Sequence, residues 1–154
     1  MDQGGNTVKT LNKNMGQNGA AAVEFAIVLP LLVILVFGII DFGLLLYNKQ
    51  VITNASREGA RAGIVFVEDR EDPNVLNSLN NHITDVVKAY CKDYLITFGN
   101  DNLTILPPSW SGAEAGDSLT VTVKYHYDFL VLPNFISKLL GGVNLSAVTI
   151  MRLE

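Results

Sequence analysis

One segment decides most of what this chain can become. Within residues 20–47 only Glu24, Pro30, Gly38, Asp41 and Gly43 fall outside the apolar set. Residues 25–40 carry no charge and make a helix roughly 24 Å long. Continued to Tyr47, that helix is roughly 34 Å long, enough to cross a hydrocarbon layer of about 30 Å. Over the 154 residues the hydrophobic share is 49%. Outside the apolar segment it falls to roughly 41%, an ordinary globular value. The chain is therefore one membrane-type helix joined to one soluble domain of modest size. Disordered, collagen-like and multi-span architectures are excluded.

Charge divides the chain along the same lines. Residues 1–19 carry Asp2, Lys9 and Lys13, and residues 48–63 carry Lys49, Arg57, Glu58 and Arg61. Residues 64–154 hold 6 basic and 11 acidic side chains. With a net charge of -4 and no long basic cluster, nucleic acid is not a partner. Cys91 is the single cysteine, so no intrachain disulfide holds the domain together.

Three readings of the apolar segment stand side by side. A cleaved secretory signal lacks its small-residue site, because Phe42-Gly43-Leu44-Leu45-Leu46-Tyr47 is bulky. A plain single-pass anchor accounts for length and hydropathy alone. The third reading comes from the junction Gly19-Ala20-Ala21-Ala22-Val23-Glu24-Phe25, which follows a polar, Asn- and Gly-rich leader. A carboxylate at the edge of hydrocarbon is costly and calls for a partner. A cut after Gly19 exposes an α-amine at Ala20, about one helical turn from Glu24.

That junction resembles the prepilin peptidase site of type IV pilin-like proteins. Residues 19–63 closely resemble the TadE-like segment of tight-adherence (Flp) pilus systems. The likeness rests on Glu24, on Pro30 inside the span, on Gly38, Asp41 and Gly43, and on the tail Asn54-Ala55-Ser56-Arg57-Glu58-Gly59-Ala60-Arg61. It implies a minor pseudopilin of a bacterial inner membrane, single-pass, with residues 1–19 cytoplasmic and residues 64–154 extracytoplasmic. It further implies cutting by a prepilin peptidase, with Gly19, Ala20, Glu24 and Phe25 as the processing site. Its implied partners are that peptidase, other pilin-like subunits, the assembly machinery and inner-membrane lipid. The alternative is an unprocessed single-pass adaptor with an extracytoplasmic protein-binding domain.

Beyond the membrane the helix continues through residues 48–63. Ala55, Gly59 and Gly63 recur at intervals of four and line one narrow face that a second backbone can approach closely. This face suits either packing between subunits or a crossing by the chain's own domain. Residues 68–73 form an acidic, proline-ended connector. Asp72 or Asn74 caps a second helix over about residues 74–94, with Pro73 in its first turn. Val75, Leu76, Leu79, Ile83, Val86, Val87, Tyr90 and Tyr94 form its apolar stripe, and Cys91 sits beside it as a small core residue.

Strand patterns cover residues 102–106, ended by Pro107-Pro108, then 118–127 and 143–153. On the last strand Val148 and Ile150 point away from Leu145 and Ala147, which predicts cover on both sides. Residues 135–140 suit a short helix ended by Gly141-Gly142. Trp110 lies in a loop, as an exposed contact or folded back on the core. The fold class is α+β: a long N-terminal transmembrane helix running into a small pilin-like domain, with a second helix on an antiparallel sheet of about three strands. His82 and His126 are far apart, and no spacing suits a metal, a cofactor, a phosphate or a nucleophile. The pattern points to assembly rather than turnover.

Overall fold

The structure, a computed structural model, describes residues 15–65, 71–97, 99, 102–129 and 141–153. Residues 1–14 of the leader, most of the acidic connector and the segment expected as a short helix over 135–140 lie outside them.

Helix α1 (Met15–Ile64) is one continuous helix of 50 residues, roughly 75 Å long. It begins four residues before Gly19, inside the segment expected as leader. Pro30 lies in its interior; lacking an N–H, it leaves the carbonyl of Ala26 without its helical donor. Helix α2 (Pro73–Tyr94) starts as its sequence predicts. Asp72 is the N-cap, its carboxylate accepts from the Asn74 amide at 2.8 Å, and Pro73 occupies the first turn. The core side of α2 is Leu79, Ile83, Val87 and Cys91, a run of fours that places Cys91 in the stripe itself. Tyr94 is exposed.

The antiparallel sheet is built around β3 (Ser118–Tyr127). Its whole length pairs with β4 (Val143–Arg152), from Ser118 opposite Arg152 to Tyr127 opposite Val143. Its other edge carries β1 (Leu103–Ile105) and β2 (Ser109–Trp110) in succession. The sheet thus has four strands where the sequence predicts about three. Pairing along this edge continues to Leu106, whose amide donates to the Thr122 carbonyl at 3.0 Å. Pro107 and Pro108 then offer no N–H, and pairing resumes at Ser109. Trp110 is therefore a strand residue; its indole N–H donates to Asn80 Oδ1 at 2.9 Å and ties β2 to α2.

Both helices lie on the same face of the sheet. Leu119, Val121, Val123, Tyr125 and Tyr127 of β3 alternate inward and meet Ile52, Ala55 and Ala60 of α1 and the α2 stripe in one core. On β4, Leu145 and Ala147 join that core, while Val148 and Ile150 are 59% and 65% exposed. Among the described residues, then, β4 is covered on one side only.

The helices run antiparallel and close together because α1 presents glycine where they cross. A Cβ built on Gly59 falls against Val87 and Ile83, and one on Gly63 against Leu119 and Ile83. Gly63→Leu is expected to destabilise the domain by about 1–3 kcal/mol or more through overpacking. Gly43→Ala, where an added Cβ meets nothing within 4 Å, is expected not to. Thermal unfolding of the full chain in detergent checks both. Burial also pushes the Cys91 thiol up to about 11 from 9.0. From about pH 9 the unfolded thiol ionises while the folded one keeps its proton, so stability is lost as pH rises towards 11. Cys91→Ala is expected to be less stable at neutral pH but to lose less between pH 9 and 11 in alkaline denaturation.

Candidate functional site: the two halves of the long helix

The N-terminal half of α1 is largely uncovered among the described residues. From Val23 to Ile40 the large apolar side chains are exposed except Ile34 and Phe37, which are half-buried, and this is the one helix long and apolar enough to cross a membrane among those described. Gly19, Ala20, Glu24 and Phe25 are all exposed. A Cβ on Gly19 meets nothing within 4 Å. Glycine inside a helix costs roughly 0.5–1 kcal/mol against alanine, and no neighbour among the described residues requires it at position 19. No ion pair or hydrogen bond engages the Glu24 side chain among the described residues. Ala20 and Glu24 lie one helical turn apart, so a new amine at Ala20 comes within reach of that carboxylate.

The C-terminal half is a core element of the domain. Its domain-facing stripe is Asp41, Leu45, Asn48, Ile52, Ala55, Gly59 and Gly63, a spacing of alternating fours and threes closed by a four, which keeps one side of a helix turned inward. Three polar side chains on or beside it are fully buried: Asp41, Asn48 and Ser56. Each has a partner. The Tyr127 hydroxyl at the end of β3 donates to the Asp41 carboxylate at 3.2 Å and lies 3.3 Å from its backbone carbonyl. Burial, and then the Asp41 carboxylate, raise this phenol well above the usual tyrosine range. Asn48 donates to the Ile96 carbonyl at 2.9 Å and accepts from the Ile96 amide at 3.1 Å. The Ser56 hydroxyl meets that of Thr149 on β4 at 2.7 Å, and Lys49 donates to the Ser146 carbonyl.

The structure therefore brings Ala55, Gly59 and Gly63 together against α2 and the sheet, far along α1 from Gly19 and Glu24. Sequence reasoning missed Asn48 and Ser56 as contact residues and placed Asp41 only within a motif. The available signal was their common spacing of seven to eight, polar positions on an otherwise apolar stripe. Domain contacts also reach back to Asp41, into the segment read as membrane up to Tyr47. His126, near the end of β3, meets Asn144 at 2.7 Å and Asp128 at 3.3 Å. Among the described residues no cluster of three or more His, Cys, Asp or Glu is placed to hold a metal ion.

Asn48 offers a direct test of the helix–domain joint. Asn48→Ala removes both bonds to Ile96 and is expected to cost about 1–3 kcal/mol, the range for orphaned buried polar groups. Asn48→Asp keeps the acceptor for the Ile96 amide and loses the donor to its carbonyl. Hydrogen exchange is expected to show the Ile96 amide protected in Asn48→Asp and exposed in Asn48→Ala, with both less stable than the parent.

Comparison with known families places the boundary of likeness within α1. Residues 19–61 match the family model described as TadE-like protein. No curated protein and no solved structure matches the chain. The match covers 43 of the 154 residues and stops before α2 and the sheet. It begins at the glycine that no contact among the described residues requires and ends on the turn that crosses α2. From Gly19 to Arg61, then, the long helix of this protein is similar to the TadE-like family.

Proposed function

We propose that this protein is a minor pilin-like subunit in assembly of a tight-adherence pilus, stored in the bacterial inner membrane and cut after Gly19 by a prepilin peptidase. In this reading residues 1–19 face the cytoplasm and the α+β domain lies on the other side. The TadE-like match associates the chain with that pilus system. The observation that carries the finer reading is the open junction. Gly19 is the fifth residue of α1, in the fraying end of the helix, and nothing among the described residues accounts for a glycine there. A membrane-surface peptidase accounts for it, because a residue without Cβ lets the scissile backbone approach the catalytic groups. Glu24 then serves assembly: its carboxylate meets the Ala20 amine of its own or a neighbouring subunit. Breaking one half of a poorly solvated pair costs about 3–5 kcal/mol.

Two variants separate the steps. Gly19→Ile is expected to stay uncut and run larger on a gel by its leader. Glu24→Gln is expected to be cut, to remain in the membrane, and to fail to restore pili in a deletion strain. N-terminal sequencing of the mature protein decides against the unprocessed adaptor if it begins at Ala20. A Gly19→Ile chain of the parent's size would sink the processing step, and full piliation by Glu24→Gln would sink the ion pair.

A further inference from the structure

We infer that the face of α1 at Ile34 and Phe37 is a docking surface for the chain's own residues 130–140, which enter the membrane layer there and give the domain a second membrane contact. The inference rests on the membrane span of α1 and not on processing at Gly19. Residues 130–140 lie outside the described residues and read LVLPNFISKLL, with Lys138 as their single charge. The points where they leave and rejoin the domain are described. Tyr127, the last residue of β3, reaches Asp41 on α1, and Phe129 packs edge-on against Tyr127 at 5.8 Å. Val143, the first residue of β4, stands opposite Tyr127. The connection therefore departs and returns at the level of Asp41, the end of the domain nearest the apolar half of α1. The side chains of His126 and Asp128 stay open to solvent at this end. From Ala20 to Ile40 the helix is roughly 31 Å long, the thickness of a hydrocarbon layer, so the membrane surface also falls at this level.

Burial along α1 says where the connection goes. Val23, Ile27, Ile34, Phe37 and Asp41 follow one side of the helix. Val23 and Ile27 are 61% and 71% exposed, so the helix by itself leaves such side chains open. Ile34 and Phe37 are half-buried, so some other part of this single chain covers them. Ile34 is seven residues before Asp41, roughly 10 Å along the helix, and Ile27 is roughly 21 Å along it. A connection over 130–140, held at both ends, extends at most roughly 18 Å from them. It reaches Ile34 and falls short of Ile27, and the cover stops between the two. Lipid alone is a poor setting for the segment. Pro133 breaks a helix, and hydrocarbon offers no partner to the N–H and C=O groups of irregular backbone, which is tolerated at membrane depth only beside protein. Lys138, three positions before Gly141, returns its ammonium to the polar layer at the ends of the connection.

The test uses the full chain in nanodiscs, with Cys91→Ala as background. Protection of the Ile96 amide from hydrogen exchange, as in the parent, identifies folded variants. Ile34→Cys with Phe135→Cys, in the middle of the segment, is expected to form a disulfide within one chain on mild oxidation. Ile39→Cys with Phe135→Cys is expected to link at least about ten-fold more slowly, because Ile39 faces the other side of the helix and a disulfide needs Cβ atoms about 4 Å apart. Phe135→Cys alone is expected to resist a membrane-impermeant maleimide that labels Glu114→Cys, an exposed position at the far end of the domain. Labelling of Phe135→Cys puts the segment in water and overturns the inference. A link between chains from Ile34→Cys alone makes a second copy the occupant and overturns it too. So does protection without a preferred link, which leaves the segment in lipid away from α1. Alkaline carbonate extraction tests the span separately. A released chain defeats the span, whereas a retained chain without the Ile34 link defeats the docking alone.

Discussion

The structure depends on one helix serving two solvents. The outward surface of α1 up to Ile40 is apolar and uncovered, which suits lipid, whereas from Asp41 onward one side of the same helix must complete a water-exposed domain. The change of environment is managed by buried polar groups with assigned partners. Asp41 meets Tyr127, Asn48 takes both backbone groups of Ile96, and Ser56 meets Thr149. A purely apolar stripe buries as well but carries no register. A slide of α1 by one turn against the domain leaves Asn48 and Ile96 unpaired, at about 1–3 kcal/mol for each orphaned group. The polar positions therefore fix how far the domain stands along the helix, and so its height above a membrane.

Most of the elements were legible in the sequence because their cause is local. The apolar run, the Asp72-Pro73 helix start and the strict alternation of β3 each arise from residues near one another in the chain. What the sequence did not show depends on distant partners. Tyr127 and Asp41 are 86 positions apart, and nothing near Tyr127 marks it as the cover for a carboxylate. Trp110 reads as a loop residue because its strand is two residues long and exists only by pairing with Leu119 and Thr120. Val148 and Ile150 read as covered because β-branched residues on both faces of a strand imply two layers. In the described part of the chain only one layer is present.

The candidate site was legible unevenly for a related reason. The junction residues form a contiguous motif, so Gly19, Ala20, Glu24 and Phe25 stand out together as a candidate in the sequence alone. The glycines of α1 look alike in sequence and differ in space. Gly59 and Gly63 are surrounded by Val87, Ile83 and Leu119, while Gly19, Gly38 and Gly43 have nothing within 4 Å of an added Cβ. Fold alone explains the first group. The second group has no such neighbour among the described residues, and at Gly19 the proposed peptidase supplies the reason that the fold does not.

Under the proposed function, this division also bears on how the subunit leaves the membrane for an assembly. The domain core draws on α1 only from Leu44 onward, and residues 19–40 support nothing else that is described. The apolar half can therefore exchange lipid for protein neighbours without opening the core. That exchange brings little hydrophobic gain, because lipid tails are as apolar as leucine. Van der Waals fit and polar pairing must then supply the preference for an assembled state. In this half of the helix Glu24 is the single charged side chain, and in lipid it is the costly one. A partner for it in the assembly removes that cost at the moment the subunit leaves the bilayer. On that proposal the same carboxylate opposes storage in lipid and favours assembly, which gives the transfer a direction that the apolar surface lacks.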